Sequence, residues 1–394
     1  MTHAKRRLAP RYAALSLALL LAANAAHGAD WIVSGNDGKY QRVAGRDTYP
    51  NDAPDTLTVL DASQFPPRVV QQVPVETGIQ GPPQAVAISP DGGLALVSAP
   101  TRYDAATRKP VFDTFLQVVD LQAQPVRITR LELGTHPQGV AFSPDGRLAL
   151  VACVDGSVAV FGVDGKRVVL RERLKIARQR LSGLSVTHDG QHALVALRDE
   201  QGAAVLDIDG EHVRDSGARL STGVAPYTVD VSSDGRWAVI GNAGLAGLAG
   251  YTGRLAGDAD SVALIDVSRL PFRTVQYLNV ASLPEGIAIS PDGNWIAAQS
   301  MDGSNLTADN PGRHARGKIT LFALRDGHAD RVAEAPAGEA GQGLVFSADS
   351  RYLLAQFNVE KQLAVYAVDS GRLRDTGERI PLNAGPASLR SAPR

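Results

Sequence analysis

The chain has 394 residues, a formal net charge of −1, 44% apolar but only 5% aromatic residues, 39 glycines and one cysteine. A single thiol excludes a disulfide framework and any cysteine metal cluster. So much glycine with so few aromatics suits many short strands joined by tight turns.

The first 29 residues read as a leader peptide. Lys5, Arg6, Arg7 and Arg11 form a basic start, Ala13 to Ala23 an apolar run too short to span a bilayer, and Ala26-His27-Gly28 a small-residue cleavage site. Residues 30–394 are then expected as one exported domain, periplasmic or secreted, with a mature charge near −5 once the four cations are removed. That charge argues against a nucleic-acid partner, and no membrane association is expected after cleavage.

From Gln84 onward one phrase recurs six times. It begins as Gln84-Ala85-Val86-Ala87-Ile88-Ser89-Pro90-Asp91-Gly92 and returns around Asp145, Asp189, Asp234, Asp292 and Asp349. Each copy is an alternating apolar run, a four-residue turn and a second apolar run, which spells a β-hairpin. In Ser89-Pro90-Asp91-Gly92 the proline presets φ, the aspartate can bond its own backbone and the glycine closes the turn. A third alternating segment follows each hairpin, such as Leu116 to Leu121 or Val262 to Val267, and then a more polar fourth. Four antiparallel strands per repeat, with the aspartates 44 to 58 residues apart around a minimal blade of 44, make the blade of a β-propeller.

Six hairpins leave a remainder at each terminus. Trp31 to Ser34, Thr56 to Asp61 and Val69 to Val75 match the second, third and fourth strands of a blade with no first strand before them. Gly385-Pro386-Ala387-Ser388-Leu389-Arg390 resembles Gly81 to Val86, so the C-terminal strand is expected innermost in a seventh blade, closing the ring. Trp31, Trp237 and Trp295 align at second-strand starts, where inter-blade packing is expected, and Cys153 sits in an apolar second strand as an inert buried thiol.

Function is sought where the repeats differ. Extra residues in four blades fall between the second and third strands, so four enlarged loops should rise around one channel mouth. They carry Tyr40 and Arg46, Arg102 and Tyr103, Tyr251 and Arg254, and Asn305, Arg313 and His314, a mixture that could clamp an anionic or polyhydroxylated ligand. The residues entering the innermost strands, Gln84, Gln138, Ser182, Tyr227, Glu285, Gln342 and Ser388, should ring the same mouth, either as a solvated lining or as a binding ring. His136, Arg178 and Arg180 stand just before two of these strands. Glu285, the ring's carboxylate, and His136, the nearest base, are the first candidates for acid–base chemistry. No histidine pair has metal-ligand spacing and no phosphate-cradling glycine loop is present, so no cofactor or metal is expected, although calcium held by Asp and Asn of the inserts stays open.

The Ser-Pro-Asp-Gly hairpins preceded by Pro-Gln-Gly or Pro-Glu-Gly, with third strands ending Val-Val-Asp-Leu and Leu-Ile-Asp-Val, resemble the YVTN-type propellers and the 6-phosphogluconolactonase-like (lactonase) propeller family. The resemblance spans essentially all of the mature chain and implies an all-β, seven-bladed β-propeller. It departs from the name-giving Tyr-Val-Thr-Asn strand end, with Leu96-Val97-Ser98-Ala99 and Val239-Ile240-Gly241-Asn242 in its place. The family implies lactone hydrolases, a muconate-cyclising branch and exported proteins without catalysis, and no catalytic set carries over residue by residue. Two readings follow. One is a monomeric exported propeller binding a small polar or anionic molecule or a protein partner. The other is a hydrolase opening a cyclic ester at the same mouth.

Overall fold

A computed structural model describes residues 30–43, 45–49, 53–245 and 260–393. The leader segment therefore lies outside the described residues. The architecture is all-β: seven four-stranded antiparallel sheets arranged in a ring, a seven-bladed β-propeller. The innermost strands of blades two to seven are Val86–Ile88, Pro137–Phe142, Leu184–Val186, Pro226–Val231, Pro284–Ile289 and Gly341–Phe346.

Blade one is the composite one. Its order from the axis outward is Gly385–Ser391, Trp31–Asp37, Asp55–Asp61 and Arg68–Val75. Ile32 pairs with Ser391 and Ser34 with Leu389, so the tail of the chain fills the place left empty beside the first strand.

The core lies between blades, because inner strands bury both faces while the outermost alternate. Pro284–Ile289 is buried throughout, whereas Arg273–Val280 alternates buried or half-buried with exposed positions. Val33, Leu57 and Val59 of blade one pack on Val86, Ile88 and Val97 of blade two. On the other side Ile32, Leu60 and Leu389 pack on Val345, Leu354 and Leu363 of blade seven. An added Cβ at Gly327, in blade six, would lie 3.1 Å from the Trp237 ring of blade five, so this tryptophan packs between blades as expected. Cys153 is fully buried, and burial pushes its thiol up to about 12, leaving it inert.

The recurring turn explains itself in hydrogen bonds. Ser89 Oγ donates to Asp91 Oδ1 and accepts from Leu94 N–H at 2.9 Å, while Asp91 Oδ1 also accepts from Gly93 N–H at 2.9 Å. Gly92 takes a left-handed φ of 69°, which a side chain would strain. The Ser89 hydroxyl first, and the Gly93 amide after it, hold the Asp91 carboxyl below its usual range. A depressed folded pKa contributes stability above the unfolded value, and that stability is lost as pH falls through the folded value. Thermal midpoints are therefore expected to drop steeply below about pH 4, and Asp91→Asn should flatten that part of the pH profile measured by circular dichroism.

Candidate ligand-binding site

The innermost strands are threaded together by their own backbones. Leu389 N–H donates to Pro83 O at 2.9 Å, Val140 to Gln84 O at 2.9 Å, Gly139 to Ser182 O at 3.1 Å and Gly183 to Tyr227 O at 2.7 Å. This is why glycine follows the polar residue in Gln138-Gly139, Ser182-Gly183, Glu285-Gly286 and Gln342-Gly343. At Gly183 an added Cβ would lie 2.0 Å from Gln84 Oε1 and 2.6 Å from Tyr227 O. The next blade's strand comes too close for any side chain.

Two of the expected ring residues turn out to be cross-channel ties. From blade two, Gln84 reaches blade five, where its amide donates to Val229 O at 2.6 Å and accepts from Val229 N–H at 2.7 Å; it also donates to Leu184 O of blade four at 3.3 Å. Tyr227 crosses the other way and donates its hydroxyl to Gly81 O at 2.8 Å. Neither the solvated lining nor the binding ring describes them, because both side chains are satisfied by backbone groups. Gln138, Ser182, Glu285, Gln342 and Ser388 are also buried.

Above this layer stands a cavity of about 360 Å³, within the range of small-molecule sites. Its walls include Tyr40, Arg42, Asp47 and Tyr49 from the blade-one loop, Gln80 before blade two, and Gln342. The blade-one loop is a hairpin, Gln41–Val43 paired with Arg46–Thr48, rooted by Lys39 Nζ bonding Asp55 Oδ2 at 2.7 Å and Asp37 Oδ1 at 3.1 Å. It leans across the mouth: Arg42 donates to Asn305 O of blade six at 2.6 Å. On the other flank the Tyr49 ring stacks on Tyr103 of blade two with centroids 4.8 Å apart. The enlarged loops of blades one, two and six thus meet over one mouth as expected. Tyr251 and Arg254 of the blade-five loop lie outside the described residues.

Inside the cavity the polar groups fall into two kinds. Arg42 pairs with Asp47 at 2.6 Å and donates to the Tyr40 hydroxyl at 2.8 Å, which in turn donates to Asp47 at 2.8 Å. Burial first, and the Asp47 charge after it, push the Tyr49 phenol up to about 12, and burial raises Tyr40 further, so both rings stay neutral. Against this closed set stands Gln342, 1% exposed, whose Nε2 and Oε1 both lack a protein partner. Gln80 donates to the Tyr49 hydroxyl at 2.5 Å while its Oε1 is likewise buried without a partner.

The remaining expected site residues are dispersed around the rim. Arg102 pairs with Asp113 at 3.3 Å, Arg180 with Asp199 at 3.1 Å, Arg313 with Glu339 at 2.9 Å, and His314 sits 3.3 Å from Asp302. Arg46 and Arg178 are exposed. His136 and Glu285 are not hydrogen-bonded to each other: His136 Nδ1 lies 2.8 Å from Asp113 O and its Nε2 has no hydrogen-bond partner. Burial lowers the His136 pKa, opposed by Asp113. Glu285 instead lies near Tyr227, whose phenol is raised first by burial and then by the Glu285 charge. Among the described residues no group of three or more His, Cys, Asp or Glu side chains could hold a metal ion.

Sequence reasoning passed over Gln80 in the cavity wall and, elsewhere, Arg198, Arg390 and Asp230. Arg198, 7% exposed, lays its guanidinium 4.1 Å from the Tyr227 ring centre. Its place, directly after an apolar second strand, was the available signal. Arg390 of the closing strand reaches Asp230 of blade five at 3.1 Å and Ser185 of blade four at 3.3 Å, in a separate small cavity on the face of the Ser-Pro-Asp-Gly turns.

A WD domain, G-beta repeat model matches residues 130–161, about one blade. No curated protein matches the chain. Among solved structures the chain is similar to a candidate 6-phosphogluconolactonase from Bacteroides uniformis, with 15% identity, a TM-score of 0.66 and coverage of 93% of this chain and 100% of the other. The Pseudomonas aeruginosa periplasmic gluconolactonase PpgL is similar at 18% identity and a TM-score of 0.62, covering 92% and 99%. Kuenenia stuttgartiensis hydrazine synthase follows at 20% identity and 0.58, covering 81% and 92%. Its structural neighbours thus include 6-phosphogluconolactonase-like proteins, and at these identities the likeness is one of fold.

Proposed function

We propose that the protein is an exported binding propeller that takes a small polar ligand in the cavity under the blade-one hairpin. The observation that carries this reading is Gln342, a buried residue of the cavity wall whose amide Nε2 and Oε1 both lack a protein partner, a costly arrangement unless a ligand or ordered water completes it. Export rests on the leader-like first 29 residues and accords with a periplasmic neighbour. No helix among the described residues is long and apolar enough to cross a membrane.

Hydrolysis of a cyclic ester is the second reading, supported by Glu285 beside Tyr227 at the channel axis. One comparison separates the two. A panel of sugar and aromatic lactones, incubated with the wild type, Glu285→Gln and His136→Ala, is expected to show no turnover above the uncatalysed rate. The intact, uncharged lactones are expected to raise the melting temperature of the wild type but not of Gln342→Ala. Turnover abolished by Glu285→Gln would establish the hydrolase, and thermal shifts unaffected by Gln342→Ala would move the site elsewhere.

A further inference from the structure

We propose that the mouth cavity selects an uncharged, polyhydroxylated molecule and discriminates against its anionic counterparts. This deepens the binding reading and rests on it. The sequence composition of the loops pointed equally to an anion, held by arginine forks. The structure leaves that role without a free fork at the cavity: Arg42, the guanidinium in its wall, is held by Asp47 at 2.6 Å, by the Tyr40 hydroxyl and by Asn305 O. Around the rim Arg102, Arg180 and Arg313 each carry a carboxylate of their own. An anion entering here meets Asp47 with its countercharge already matched, and gives up its hydration for little return.

What the cavity does offer is neutral. Gln342 presents one donor group and one acceptor, and Gln80 Oε1 a second acceptor, all buried and without protein partners. Hydroxyl groups both donate and accept, so a polyol can complete the three at once. The other walls are apolar or aromatic: Met301, Ile79 and Ala340 beside the tyrosine rings. They suit the C–H face of a sugar ring, which a purely apolar ligand would share but at the cost of leaving the amides desolvated.

The test uses the purified protein with D-glucose and myo-inositol as neutral probes, and D-gluconate and glucose 6-phosphate as charged ones, followed by calorimetry. At least one neutral probe is expected to bind, each anion about tenfold more weakly or worse, and Gln342→Ala and Gln80→Ala each to weaken the neutral probe about tenfold. Asp47→Asn, at a side chain 40% exposed, releases Arg42 from its countercharge and is expected to shift preference toward gluconate by about tenfold. Tighter binding of an anion by the wild type, lost in Gln342→Ala, would overturn the charge selection while leaving the cavity as the site. Neutral binding that survives both glutamine variants would overturn the cavity itself. No heat from any probe up to about 50 mM would overturn both, leaving ordered water as the partner of the amides.

Discussion

Removing the last eleven residues, with a stop after Asn383, is expected to abolish cooperative folding or cost more than about 4 kcal/mol. The loss is concentrated in one strand. Gly385–Ser391 is the innermost strand of blade one, and without it Trp31–Asp37 becomes a bare edge next to the channel. Leu389 leaves a gap against Ile32, Val345 and Leu354. Gln356 loses the Ser388 carbonyl it bonds at 2.7 Å, and Asp230 loses Arg390. A circular permutant provides the control. Ala392 N–H already donates to Trp31 O at 2.9 Å, so residues 384–393 can be joined ahead of Asp30 through a short turn. Denaturant unfolding followed by tryptophan fluorescence should be absent or non-cooperative in the truncated chain and restored in the permutant. A truncated chain that melts like the full one would show that the ring does not depend on this closure.

Gly183→Ala is the point substitution with the largest expected effect, about 2–4 kcal/mol of lost stability in the same assay. Its new methyl would meet Gln84 Oε1 at 2.0 Å and the Tyr227 carbonyl at 2.6 Å, where Gly183 N–H also donates across the blade boundary. The side chain can yield but the carbonyl belongs to a fixed strand. Gln84→Ala alone should cost about 1–3 kcal/mol by stranding the Val229 amide and carbonyl. Combined, the two should cost less than their sum, because the shorter side chain removes the nearer clash. Strict additivity would mean that the two residues are not in contact.

Blade number and ring closure were legible because each hairpin repeats its turn chemistry, and because the odd strands at the termini had a complementary deficit. The position of the polar ring was legible too, since it is set by register. What each member does was not. Gln84 and Gln342 occupy equivalent places, yet one spans the channel to Val229 and the other lines the cavity with its amide unpartnered. The arginines misled for a similar reason. Composition showed cations on the loops, but their carboxylate partners, Asp47, Asp113, Asp199 and Glu339, are chosen by how those loops fold back on themselves. His136 and Glu285 were linked by residue type and place near the ring, but the His136 ring bonds Asp113 O and not the carboxylate.

The Gln84 tie also has a bearing on traffic. The cavity under the hairpin and the small one around Arg390 and Asp230 share no wall residue, and the bonded amide stands on the axis between the two faces. The two cavities therefore stand apart, one on each side of this tie. On the proposed reading, a ligand in the upper one would sit beside the arm that Arg42 fastens to Asn305. Dwell time in the pocket would then be governed by how often that fastening lets go.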